Sequence, residues 1–98
     1  MSYQVKLKSG FFKTLRYRMS IEEDQLILRP ELPEGFDLIA IKNEDVLELG
    51  FIRFPGGRIE FEIITTGAYY FGCISPETDL DVLIQALKKS FGRRLSVE

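Results

Sequence analysis

The chain has 98 residues, 45% of them hydrophobic and 29% charged, with a formal net charge of −2. That is enough for one hydrophobic core and too short for two, and too apolar for a disordered segment. No apolar run approaches the ~20 residues of a membrane span, and the acidic balance excludes the usual electrostatic footprint of a nucleic-acid partner.

The chain begins in period-two alternation. Val5 and Leu7 alternate with Lys6 and Lys8, and then Leu15, Tyr17, Met19 and Ile21 alternate with Arg16, Arg18 and Ser20. With Ser9 to Lys13 as the connecting loop, a register that sets Lys8 opposite Thr14 also sets Leu7 against Leu15, Val5 against Tyr17 and Tyr3 against Met19. Every apolar side chain of this hairpin then falls on one face, as a half-buried sheet requires. The other face holds Lys6 beside Arg16 and Gln4 opposite Arg18. Four cations therefore share an outer surface (Lys6, Lys8, Arg16 and Arg18), and Lys13 is expected to join them from the loop. Met1 to Arg18 carries five basic residues and no acidic one, +5, whereas the remainder carries eight basic residues against fifteen acidic ones, −7. Such asymmetry steers a negative partner to one end of a molecule.

"EED" (Glu22 to Asp24) turns the chain into "QLILRP", which Pro30 ends. After the loop "ELPEG" come "FDLIAIK" and "VLELGFIRF", separated by Asn43 to Asp45. "PGG" (Pro55 to Gly57) is the sharpest turn signal. Ile59, Phe61 and Ile63 then alternate with Glu60 and Glu62, and "TTG" leads into "AYYFGCI". Seven strands joined by hairpin-length turns predict an antiparallel meander. Beyond Ser75 the period changes. Leu80, Leu83, Ile84, Leu87 and Phe91 lie at helical spacing on one stripe, Ser75 and Pro76 suit the helix start, and Gly92 suits its stop. The stripe is expected to cover the open end of a bent sheet. The expectation is one mainly-β domain over residues 1–92, a bent seven-stranded antiparallel sheet or partly open barrel capped by a C-terminal α-helix, with 93–98 as a tail.

Seven hairpin-ordered strands followed by an amphipathic helix resemble the pleckstrin-homology (PH)-like superfold over nearly the whole chain. "FKTLRYRMSIEEDQLILRP" is similar to the strand-turn-strand of GRAM and bacterial PH-like domains, and "IAIKNEDVLELGF" is similar to their strand, acidic turn and strand. The chain has no tryptophan, so Leu83, Leu87 or Phe91 must take the place of the Trp that anchors the helix in eukaryotic PH domains, which favours the GRAM or bacterial branch. A small Sm-like barrel is the rival fold, but there the helix precedes the strands. The resemblance also bears on Lys8 and Arg16-Tyr17-Arg18, which look like the lipid-binding Lys and "R-x-R" of PH domains, with Lys13 between them.

Two functional readings follow, and both are binding. Flexible cations and forked guanidiniums surround a phosphorylated headgroup well, and Phe11 and Phe12 at the loop would then meet the membrane interface. Alternatively, the basic strands are a solvated face and the domain works through a protein partner or its own oligomer. Phe51, Ile52 and Phe54 lie close to Ile59, more apolar side chains than one face hides, so that Ile52 or Phe51 is expected to be partly exposed at a contact. Catalysis is not expected: there is no histidine, Gly56-Gly57 is too short for a phosphate loop, and Cys73 reads as a small core residue. No cofactor or metal is expected. The N-terminus lacks the apolar stretch of a secretory signal, and one cysteine permits no internal disulfide, so a cytoplasmic protein is expected. The protein-partner or self-association reading stands first, and anionic phospholipid binding second.

Overall fold

A computed structural model describes residues 2–9, 13–32 and 37–98. Among the described residues eight strands, β1 (Ser2–Ser9), β2 (Lys13–Glu22), β3 (Gln25–Pro30), β4 (Ile39–Lys42), β5 (Val46–Arg53), β6 (Ile59–Thr65), β7 (Tyr69–Ile74) and β8 (Leu95–Val97), form one mixed sheet with a helix, α1 (Leu80–Phe91), before β8. The strand order is β4-β3-β2-β1-β7-β6-β5-β8, open at β4 and β8. The fold is mainly β with one C-terminal helix, as expected.

The first hairpin adopts the register its alternation demands, with Tyr3 opposite Met19, Val5 opposite Tyr17, Leu7 opposite Leu15, Lys6 opposite Arg16 and Gln4 opposite Arg18. Val5, Leu7, Tyr17 and Met19 are buried, and Lys6, Lys8, Arg16 and Arg18 are exposed. β5 breaks the alternation. A bulge between Val46 and Glu48 inserts an extra outward residue, so that Val46 and Leu49, three positions apart, both point inward while Leu47 and Glu48 face solvent. Across the next turn Gly56 and Gly57 adopt φ of +92° and +94°, a conformation that glycine reaches without steric cost. Phe51 and Phe61 then pair across β5 and β6 with ring centroids 6.3 Å apart.

Leu80, Leu83, Ile84, Leu87 and Phe91 of α1 are all buried in the same core as the inward strand residues. Gly92 ends the helix as expected, its N–H donating to the Lys88 carbonyl at a φ of +53°. The start differs from expectation. Asp79, not Ser75, caps α1 by accepting from the Val82 N–H at 3.3 Å. Ser75 instead closes the preceding turn, its carbonyl accepting from Thr78 and its hydroxyl from the Glu77 N–H. An Asp before the first apolar residue is as good a cap as a Ser before a Pro, and the buried stripe selects the later one.

The segment read as a tail is structured. Gly92–Arg94 forms a 3-10 turn, and β8 pairs in parallel with β5, setting Leu95, Ser96 and Val97 against Leu49, Gly50 and Phe51. Three residues are too few to display a period, and a parallel partner nearly fifty positions away leaves no local turn signal. Arg94 fixes the geometry. Its guanidinium donates to the carbonyls of Asn43, Val46 (2.9 Å), Ser90 (3.1 Å) and Phe91 (3.3 Å), joining the helix end to the β4–β5 connection.

Candidate functional site

One face of the sheet holds the core that the apolar stripe of α1 joins, and the other carries Lys6, Lys8, Arg16, Arg18, Glu60 and Glu62. The pairings of β2, β1, β7, β6 and β5 align Arg16, Lys6, Cys73, Glu60 and Ile52 in one cross-strand row on this outer face. The next row runs from Thr14 through Lys8 to Phe71, Glu62 and Gly50, with the Lys8 ammonium 4.9 Å above the Phe71 ring. The face is therefore basic across β1 and β2 and acidic across β6 and β5, with β7 between.

The basic side is not one cluster. Lys6 and Arg16 flank a cleft of about 530 Å³ whose other walls include Arg58, Cys73 and the Gly56–Gly57 turn. Arg18 belongs to a neighbouring depression, where it sits 3.9 Å from Glu31 and donates to the Ser2 hydroxyl at 3.2 Å. Arg29, opposite Arg18, is occupied by Glu22 and also donates to Ser20. The Arg29 hydrogen bond, with that of Ser20 second, holds the Glu22 carboxyl below its ordinary range. Among the described residues, Lys6 and Arg16 have no carboxylate within 4.0 Å.

On the acidic side, Glu48, Glu60, Glu62 and Glu98 surround a depression of about 100 Å³ that also exposes Ile52 and Phe71. Gly50 lies in its floor, where a Cβ would come within 3.2 Å of the Ser96 hydroxyl. Arg58 lies 3.4 Å from Glu60. The Tyr69 hydroxyl donates to Glu62 at 2.9 Å, and this bond raises the Tyr69 pKa above its ordinary value.

Two expectations change. Lys13 lies in β2, opposite Ser9, at the parity of the inward-facing Leu15 and Tyr17, so it is off the outer face that holds the other four cations. The strand simply begins earlier than the loop expectation allowed. Cys73 is not a core residue. It is half-buried on the outer face between Lys6 and Glu60, because Gly72 and Ile74 take the inward parity of β7. Both faces of "YYFGCI" are apolar, which made its parity ambiguous. Of the pair Phe51 and Ile52, Ile52 is the one partly exposed, as expected of one of them, and Phe51 is buried. Phe11 and Phe12 lie outside the described residues.

The acidic half went unnoticed as part of the site, although the alternation of Glu60 and Glu62 with Phe61 and Ile63 already placed them outward. What was missing was the β1–β7 pairing that brings them onto the surface of the basic hairpin. Among the described residues, no group of three or more carboxylates, thiols or imidazoles is placed to hold a metal ion, and no helix is long and apolar enough to cross a membrane. Compared with protein-family models and with curated proteins, the chain matches none.

Proposed function

We propose that this is a non-catalytic binding domain of PH-like type that works through protein contact, with the outer face of the sheet as its contact surface. The observation that carries the reading is the division of that face into a basic and an acidic half on either side of a strip holding Phe71 and Cys73, with Ile52 half-exposed beyond it. Opposed fields side by side fit a partner that is itself charged in two signs, and protein surfaces meet that description better than phosphate-bearing ones. The hairpin order, the β1–β7 pairing and the C-terminal helix support the PH-like assignment. The lack of histidine supports a non-catalytic role.

Site-specific photo-cross-linking inside the cell tests the reading. A photoreactive residue in place of Ile52 is expected to yield a protein adduct, whereas one in place of Val82, exposed on α1, yields none. The absence of an adduct at position 52, or equal adducts at both, would count against the face.

A second reading, an anionic phospholipid surface, is favoured by one feature, the lack of any carboxylate within 4.0 Å of Lys6 and Arg16 among the described residues. Membrane attraction of such cations amounts to about 1 kcal/mol each near an anionic surface, while the carboxylates on the same face oppose it. Sedimentation with phosphatidylserine or phosphoinositide vesicles at low salt separates the two readings. Binding that the Lys8→Glu, Arg16→Glu double variant abolishes would place the lipid reading first.

A further inference from the structure

We propose that the partner of the outer face is a second copy of this chain, bound face to face about a two-fold axis that runs along β7. The inference rests on the protein-contact reading and narrows it to one occupant. Cys73 is the midpoint of the row Arg16–Lys6–Cys73–Glu60–Ile52, and Phe71 stands between Lys8 and Glu62 in the next. A two-fold axis lying above β7 and parallel to it keeps every residue in its own row and exchanges the two sides of the sheet. Lys6 then faces the second copy's Glu60, which shares its carboxylate with Arg58 of its own chain, and Lys8 faces its Glu62, which already accepts from Tyr69. By symmetry each pair forms twice. Arg16 falls over the half-exposed Ile52 of the second copy, where its apolar stem has something to cover. Phe71 meets Phe71, and Cys73 meets Cys73, on the axis itself.

No other simple superposition of two such faces does this. An axis perpendicular to β7 but still in the plane of the face lays the basic half on the basic half. That arrangement sets like charges against each other, which opposes association. Packed sheets cross at about 30°. With strands spaced ~4.8 Å apart, this displaces Lys6 from Glu60 by roughly 2.5 Å, within the reach of the two side chains. The sheet edges offer no competing route, since β4 and β8 have four and three residues and short edge strands resist further pairing. Five strands of one face make an interface at the small end of the standard range, so dimers are expected at about 10–100 µM rather than at nanomolar concentration.

The native cysteine reports on the axis, because the chain contains one. Sheets packed face to face lie about 10 Å apart, beyond the 4.4–6.8 Å Cα separation of a disulfide. A short bismaleimide is therefore expected to join two copies through Cys73, and mild oxidation is not. Sedimentation supplies the main test. Wild-type protein should be dimeric at high concentration and dissociate with added salt. The Lys6→Glu, Lys8→Glu variant presents an acidic face and the Glu60→Lys, Glu62→Lys variant a basic one. Each alone should lose self-association by roughly a hundredfold or more. An equimolar mixture should dimerise again, since all four contacts regain opposite signs, and this recovery also shows that both variants are folded. A wild-type chain that stays monomeric and resists the bismaleimide overturns the proposal, as does a dimer indifferent to both double variants. If the cross-linker at position 52 then captures a different protein, the contact face survives and its second-copy occupant does not. If it captures nothing, both fall.

Discussion

Gly72 is where a single added methyl group should do the most damage. In β7 it lies against the backbone of β1, and a Cβ there would come within 2.0 Å of the Lys6 carbonyl oxygen, 2.9 Å of its carbon and 3.1 Å of the Leu7 Cα. All three are main-chain atoms, so no rotamer change relieves the clash. Restoring an ordinary carbon–oxygen contact of about 3.3 Å moves the strands apart by roughly 1.3 Å, which takes inter-strand bonds of ~2.9 Å past the limit of useful geometry. The ladder at risk spans three register pairs, with the Ser75 N–H to Gln4 carbonyl bond beside it. Losing two to four such bonds at ~1 kcal/mol each, and loosening the buried Val5, Leu7 and Ile74 around them, gives about 4 kcal/mol. Against a total of ~5–15 kcal/mol, Gly72→Ala should lower the melting temperature by roughly 15–30 °C. Gly67→Ala is the control, because nothing lies within 4 Å of its Cβ position, and it should shift the melt by no more than a few degrees. Thermal unfolding followed by circular dichroism compares them. A Gly72→Ala protein melting within about 5 °C of wild type would mean that β1 and β7 do not approach as described.

Two further outcomes follow from side chains already placed. Arg94→Leu removes the donor shared by the Asn43, Val46, Ser90 and Phe91 carbonyls and should cost about 2 kcal/mol; Arg94→Lys recovers part of it, since an ammonium lacks the planar fork. A denaturant midpoint unchanged in Arg94→Leu would contradict this. Glu22, held below its ordinary pKa chiefly by Arg29, contributes stability that is present above the unfolded carboxylate pKa and lost as pH falls through its folded value. The stability gap between wild type and Glu22→Gln, measured by urea unfolding, should therefore narrow from about pH 6 to pH 2; a gap independent of pH would show that the Arg29 contact is not formed in solution.

How much of this was written in the chain depends on which force placed each residue. The first hairpin was legible because its alternation allows one register that buries Val5, Leu7, Tyr17 and Met19 together, and the α1 stripe because five apolar residues repeat at helical spacing. The cations Lys6, Lys8, Arg16 and Arg18 followed from parity alone. What escaped depends on partners distant in sequence or on single-residue offsets. The β5 bulge adds one residue without a glycine to mark it. β8 is organised by Arg94 and by β5, not by its own three residues. The outward turn of Cys73 and the meeting of the acidic and basic strands both depend on the β1–β7 pairing, which no local pattern announces.

That same pairing sets the order in which the molecule can assemble. The β1–β2, β2–β3 and β6–β7 ladders each join strands adjacent in sequence, whereas Val5 meets Ile74 across 69 positions (74 − 5). Loop-closure entropy grows with the logarithm of that separation, by about 0.6 kcal/mol for each doubling, so the half-sheets β4-β3-β2-β1 and β7-β6-β5 are favoured to form first and dock afterwards. Until they dock, β1 and β7 each present an unpaired edge, and the inward residues of both halves remain wet. The joining of the two halves is then the expected slow step, with slow folding and transient aggregation at high concentration as its kinetic signature.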